Sequence, residues 1–302
     1  MSSMYCSNSS NHMRLVAVML LGLIGCSPVP QFDGRQAYRY LLTQTAMGPR
    51  NPGSKGHTAC RAYLIEELSR LADTLIVQDF EAENLPGTLT NLIARFNPQV
   101  ENRMILCAHW DTRPWADLDP DPANRTTPIP GANDGASGVA VLLELARVFS
   151  SRTPQKGVDI ALFDGEDSGE QGRPETFCLG SAYYAKHMLR PRAAYGVLVD
   201  MVGDADLDIY VEENSMAYAR HVVELIWNCA KGNTSFHGHL KHSVYDDHMN
   251  LIGAGVPCAV IIDFDYPYWH TLEDTHDKCS SRSLKAVGDV LLRIVYRYTP
   301  QN

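Results

Sequence analysis

Apolar residues recur along this chain in two rhythms. At helical spacing they mark residues 33–46, 56–71, 135–149, 180–188, 216–231 and 280–298 as amphipathic helices. Shorter, mostly apolar runs at 75–80, 90–96, 103–108, 158–163, 194–199 and 257–262 read as strands. The first two strands are joined by a turn around Pro86-Gly87, and Gly48-Pro49-Arg50-Asn51-Pro52-Gly53 breaks the chain between the first two helices. Asn133 or Asp134 is placed to cap the helix that opens at Gly135. From Arg103 onward strands and helices alternate, which implies a layered α/β domain whose sheet is largely parallel. The early hairpin makes that sheet mixed. The expected fold is a single α/β domain over residues 33–302: a central mixed, mostly parallel β-sheet flanked by helices.

Two stretches interrupt the rhythm. Residues 114–130 form a long loop rich in Pro and Asp. Asp117, Asp119 and Asp121 alternate like the start of a calcium loop, but Pro122 and Pro128 stand where its glycine and closing glutamate belong. The stretch reads instead as a rim of a functional site, because long ordered loops inside compact domains are often functional. The second stretch carries His237, His239 and His242 without a carboxylate motif and reads as a loop near the pocket mouth.

The N-terminus reads as a leader. Arg14 precedes the apolar run 15–24, which is too short to span a bilayer as a mature helix and suits a signal peptide. Translation from Met13 would place a basic residue directly before that run. Leu23-Ile24-Gly25-Cys26 resembles the lipobox of bacterial lipoproteins. That resemblance implies a signal peptide over 1–25, a lipidated Cys26, a short tether over 26–32, and contact with a lipid bilayer. The expected location is the periplasmic side of a bacterial envelope. Ser27 carries no inner-membrane retention signal, which points to the outer membrane.

Composition narrows the class. The 302 residues are 45% hydrophobic and 20% charged, as in a folded globular protein. A formal net charge of -9 argues against nucleic acid, which needs clustered Lys and Arg. The eight cysteines, at 6, 26, 60, 107, 178, 229, 258 and 279, show no Cys-x-x-Cys spacing, so a thiolate metal site is not expected. Cys107 and Cys258 lie in apolar runs and read as small buried residues.

The chemistry gathers at the strand exits. His109 and Asp111 follow one strand, Asp164, Glu166 and Asp167 another, and Asp200 a third. Asp134 opens a helix, and His270 comes shortly after the last strand. Ligands of α/β sheets bind outside the carboxyl ends of the strands. Mixed His and carboxylate groups without thiolate suit a catalytic Zn²⁺ that keeps an open position.

Five ordered segments carry a closer likeness: Ala108-His109-Trp110-Asp111, Gly131-Ala132-Asn133-Asp134-Gly135-Ala136-Ser137-Gly138, Phe163-Asp164-Gly165-Glu166-Asp167, Val199-Asp200-Met201-Val202-Gly203 and Trp269-His270-Thr271. In this order they resemble the zinc aminopeptidase and glutaminyl cyclase superfamily. In its aminopeptidases, the positions matching His109, Asp134, Asp167, Asp200 and His270 hold two zinc ions, with Asp134 bridging. In its cyclases, one zinc ion per chain is held by the positions matching Asp134, Asp167 and His270. Three features resemble the cyclase branch. Asp246 stands before Asp247-His248 where aminopeptidases have Ser, Trp269 precedes His270, and the segments at 109–114 and 176–181 look like bacterial cyclases of the animal type. Phe177 departs from them, since Trp is frequent there, and Asp167 is Glu in the animal enzymes.

The cyclase resemblance implies conversion of N-terminal glutamine of peptides or proteins into pyroglutamate, with loss of ammonia. Glu166 would then shuttle the proton, and Asp200 and Asp246 would share one. Trp269, Trp110 and Phe177 would line the substrate pocket, and His109 and Asp274 would support a metal, Asp274 by orienting His270. His248 reads as structural and His276 as facing water. The competing readings are an exported di-zinc aminopeptidase and a non-catalytic binding lipoprotein.

Overall fold

The computed structural model describes residues 29–83 and 85–297. Two helices, α1 (Gly34–Thr45) and α2 (Lys55–Leu71), lead into a hairpin of β1 (Thr74–Phe80) and β2 (Leu89–Phe96). There follow β3 (Arg103–His109), α3 (Ser137–Ser151), β4 (Gly157–Phe163), α4 (Leu179–Lys186) and β5 (Tyr195–Asp200). The remainder is β6 (Ile209–Glu212), α5 (Glu213–Tyr218), α6 (Arg220–Cys229), β7 (Phe236–His242), α7 (Asp247–Gly253), β8 (Cys258–Ile262) and α8 (Ser281–Arg297).

The mostly apolar runs form a six-stranded sheet in the order β1-β2-β4-β3-β5-β8. The pairs β4–β3, β3–β5 and β5–β8 are parallel, and β1 and β2 extend the sheet antiparallel. Every residue of β2, β3, β4 and β8 is buried, as expected when helices cover both faces. The expected single mixed α/β domain is what forms. At the edge where the parallel strands begin, Arg103 and Arg95 both bind the buried Asp159, at 2.6 and 3.0 Å. That edge is closed by charge pairing, and the opposite edge, where the strands end, is left for the site. Gly138 in the first turn of α3 lets the helix lie against β5: a Cβ there would stand 2.3 Å from the Val199 carbonyl oxygen.

Three local expectations are corrected. First, α3 starts at Ser137 with no side-chain cap, and the Asn133 side chain instead accepts a bond from Gly203 N–H at 2.7 Å. Second, the helix expected over 216–231 is two helices that meet at Ala219. The shorter begins early because Glu212 caps it through Asn214 N–H and Ser215 N–H. Third, the histidine stretch is no loop: β7 pairs with the four-residue β6 in a small parallel sheet. Strands this short and this rich in His and Gly carry little apolar alternation to read.

Candidate active site

Strand direction brings the polar residues together. His109 ends β3 and Asp200 ends β5, while Asp164, Glu166 and Asp167 follow β4. His109 Nε2 lies 3.1 Å from Asp200 Oδ1 and 3.2 Å from Asp134 Oδ1. His270 Nε2 lies 3.3 Å from Asp167 Oδ1 and 3.6 Å from Asp134 Oδ2. Asp134 thus stands between two clusters. In each of them, His109-Asp134-Asp200 and Asp134-Asp167-His270, the ligand-capable atoms lie within 4.8 Å of one another. These side chains suit a divalent cation: Asp134 Oδ2 and Asp167 Oδ2 are buried with no hydrogen-bond partner. A buried carboxylate in that state needs a cation or a proton.

The supporting contacts are specific. The Asp111 carboxylate accepts the backbone N–H groups of Glu166 at 3.1 Å and Asp167 at 3.2 Å, fixing the turn that presents both. Asp274 accepts from Asn133 N–H, Asp134 N–H and the Tyr266 hydroxyl. It therefore steadies Asp134 and not His270, which corrects the sequence expectation. The group beside His270 Nδ1 is Asp117, at 3.3 Å, itself clasped by Arg113 at 2.7 Å. Arg113 also reaches Asp167 Oδ1 at 3.2 Å. The Pro-Asp loop is thus part of the site, and its Asp119 binds Leu272 N–H to hold loop and His270 segment together.

Glu166 leaves the turn in another direction from Asp167. Its Oε1 accepts a weak bond from the Cys178 thiol at 3.4 Å, and Glu166, Cys178 and Asp246 form a third close group. Asp246 Oδ1 accepts from Asp247 N–H while its Oδ2 has no partner. Sequence reasoning placed Asp111 only among the strand-exit groups and Asp117 only in the rim loop, and it assigned Arg113 and Cys178 no role of their own. Asp111, two residues past His109, was the readable signal among them.

Burial raises these acids. It holds the Glu166 carboxyl well above its ordinary range, with Asp167 and Asp246 adding to the shift against the opposing charge of His109. Burial and the Asp200 charge lift Asp246 to about 7. Asp200 is raised by burial, against the pull of His109. Burial opposes a charge on His270, yet Asp167, Asp117 and Asp134 lift it to about 9. His109 is raised in the same way, chiefly by Asp200 against burial.

The cleft above these groups encloses about 490 Å³. Glu166, Asp167, Asp200, Asp246, Phe177 and Trp269 line it. Trp269 is tilted against His270 with ring centroids 4.1 Å apart, and Phe177 lies over the Arg113 guanidinium. Trp110 is the exception among the expected pocket residues. It is fully buried, stacked on His57 at 4.5 Å, and its indole N–H donates to Thr90 O. Consecutive residues of an extended segment point to opposite faces, so a site-facing His109 sends Trp110 into the packing beneath. His248 is buried 3.5 Å from Glu212, and His276 is exposed. Cys178, Met201 and His270 all adopt positive φ, at 53°, 46° and 55°. Backbone held in that region clusters at functional sites.

A mixed, mostly parallel sheet whose strand ends gather two His and a ring of buried carboxylates defines a metal-dependent α/β enzyme. The sequence profile of peptidase family M28 matches residues 91–295, and the chain belongs to that family. Among solved structures, the glutaminyl cyclase of Bacteroides thetaiotaomicron bound to N-acetylhistamine is 37% identical, with a TM-score of 0.86 over 90% of this chain and 100% of that one. A Zn-dependent exopeptidase from Parabacteroides distasonis is 35% identical, with a TM-score of 0.85 over 90% of this chain and 100% of that one. The glutaminyl-peptide cyclotransferase of the snake Boiga irregularis is 26% identical over 289 residues, 82% of this chain and 77% of its own length.

Proposed function

We propose that the protein is a zinc-dependent glutaminyl-peptide cyclotransferase acting on peptides or proteins with N-terminal glutamine. The observation that carries this reading is Asp246, buried within reach of Glu166 beside the Asp134-Asp167-His270 cluster. The likeness to solved and curated glutaminyl cyclases supports it. Asp134, Asp167 and His270 are the residues to hold one zinc ion, which supplies a Lewis acid for the γ-carbonyl oxygen of the substrate glutamine.

The chain's own groups do the rest. The glutamine side chain enters the cleft along Trp269 and Phe177. Its α-amine nitrogen bonds to the side-chain amide carbon, Cδ, and the bond from that carbon to the amide nitrogen breaks. Glu166 takes the proton from the α-amine and delivers it to the departing nitrogen, which leaves as ammonia. Burial raises the proton affinity of the Glu166 carboxylate, which suits it to accept the α-amine proton and hand it on. Asp200 and Asp246 share one proton, since two buried carboxylates in one site do not both ionise cheaply. That shared proton donates to the reacting amide.

A second reading, a di-zinc aminopeptidase, has its own support in the His109-Asp134-Asp200 cluster. One pair of assays separates them. A cyclase releases ammonia from Gln-peptides, leaves leucyl anilide intact and carries about one tightly held zinc per chain. Release of amine from leucyl anilide with two tight zinc ions per chain would reject it.

The leader is the second part of the proposal. The apolar run and Leu23-Ile24-Gly25-Cys26 support export, lipidation of Cys26 and residence on the periplasmic side of the envelope, in the outer membrane. These residues lie outside the described ones. Among the described residues no helix is long and apolar enough to cross a membrane.

A further inference from the structure

The course of residues 29–34 fixes which pole of the molecule meets an anchoring membrane. A Cβ on Gly34 would touch Ser281 and Lys285, so α1 starts beside the first turn of α8. Going back along the chain, the Phe32 ring packs over Gly288, and Phe32 O accepts from Lys285 Nζ at 3.2 Å. Val29, Pro30 and Gln31 then line a cavity of about 330 Å³ together with Lys285, Asp289, Arg293 and Arg297. The chain therefore enters the domain by running along α8 from its last turns towards its first.

Those last turns lie far from the cleft. The first turn of α8 follows Ser280, whose N–H donates to Gly203 O just past the end of β5, at the site. The last turns lie at the opposite edge of the sheet. Ile294 O accepts from Lys156, which directly precedes β4, and Arg293 donates to Cys229 O. Lys285, Asp289, Arg293 and Arg297 recur every fourth residue, so they form one stripe on the helix. Three cations face one carboxylate there, in a chain of net charge -9.

The covalent reach is short. Cys26 to Val29 is three peptide steps, at most about 10 Å. That is on the order of the distance over which salt at physiological strength screens charge. We propose that, in the anchored protein, the α8 face bearing Lys285, Arg293 and Arg297 rests on the anionic headgroup surface of the bilayer, with the cleft at the opposite pole opening into the aqueous space. This rests on lipidation of Cys26. Substrates are then soluble peptide termini that approach from the side away from the membrane.

The test uses the full chain purified with its natural modification and reconstituted in vesicles, one set of phosphatidylcholine and one containing phosphatidylglycerol. A membrane-impermeant amine-acylating reagent is applied and peptide masses are read. Lys285 and the reference Lys241 of β7 are comparably exposed, 47% and 39%, and each pairs with one aspartate. Labelling of Lys285 relative to Lys241 is expected to fall about fivefold or more in the anionic vesicles only, the scale of one surface-bound cation. Arg297→Glu, and Arg293→Glu with Arg297→Glu, should restore it. Equal ratios in both vesicles, with the acyl mass present on the Cys26 peptide, overturn the docking face alone. Protection that persists after charge reversal also overturns it, since the tether would then suffice. A Cys26 peptide without acyl mass removes the anchor, and this inference with it.

Discussion

Glu166 and Asp167 are neighbours in the sequence that leave β4 for different tasks. The first turns to Cys178 and Asp246, the second to His270 and Arg113. Both are presented by one acceptor, Asp111, through their backbone N–H groups. Glu166→Gln keeps the side-chain size and leaves that backbone clasp untouched. It is expected to keep zinc content at the wild-type level and lower kcat for a Gln-peptide by about 10²–10⁴-fold. Turnover close to wild type would show that another group moves the proton. The same scale explains two misplaced residues. Trp110 was assigned to the pocket because of its chemistry, and Asp274 to His270 because of its nearness in sequence. Side-chain direction decided otherwise in both cases.

Among the elements, α7 carries the sharpest ambiguity. Asp246 is its N-cap and also a member of the acid cluster. The two roles separate by substitution. Asp246→Asn and Asp246→Ser keep a capping oxygen, so both should fold with melting temperatures near wild type and with zinc bound, while losing most cyclisation. Asp246→Ala should also lose the cap, worth about 0.5–2 kcal/mol of stability. Full activity in the Asn and Ser variants would reduce Asp246 to a cap. The long helices and the buried strands of the main sheet were legible because their apolar spacing repeats over several turns or residues. The division between α5 and α6 was not, because it depends on Glu212 reaching Asn214 and Ser215. Nor was the β6–β7 pair, whose few residues alternate weakly.

At the scale of the whole molecule, the acid cluster ties stability to metal and pH. Burial foremost lifts Asp246 and Asp274 from 3.8 to about 7. Against burial, Asp167 and its neighbours lift His270 from 6.5 to about 9. All three folded values are raised, so the folded state binds these protons more tightly than the unfolded chain. The stability they contribute is complete below the unfolded values and is lost as pH rises through the folded ones. Chelator-treated protein should therefore melt at a lower temperature near pH 9 than near pH 6. Zinc held by Asp134, Asp167 and His270 would put positive charge in place of the His270 proton and should reduce the difference. Thermal melts of both forms at the two pH values are the measurement. Metal-free protein that grows more stable towards pH 9 would contradict this account of the cluster.

The order of strands and helices, the mixed α/β class, and the gathering of His109, Asp134, Glu166, Asp167, Asp200 and His270 at one sheet edge were all determined by the sequence. They depend on local periodicity, and on the fact that parallel strands end on the same side. Which of those carboxylates share a partner was decided only in three dimensions. Asp117 beside His270, Asp111 beneath Glu166 and Asp274 behind Asp134 join residues from 55 to 153 positions apart with no pattern linking them. Such contacts arise from the packing of one loop on another, and the physical reason they escape the sequence is that a carboxylate looks the same whether it caps a turn, holds a cation or clasps an arginine. Its neighbours in space, and the burial they impose, assign the role.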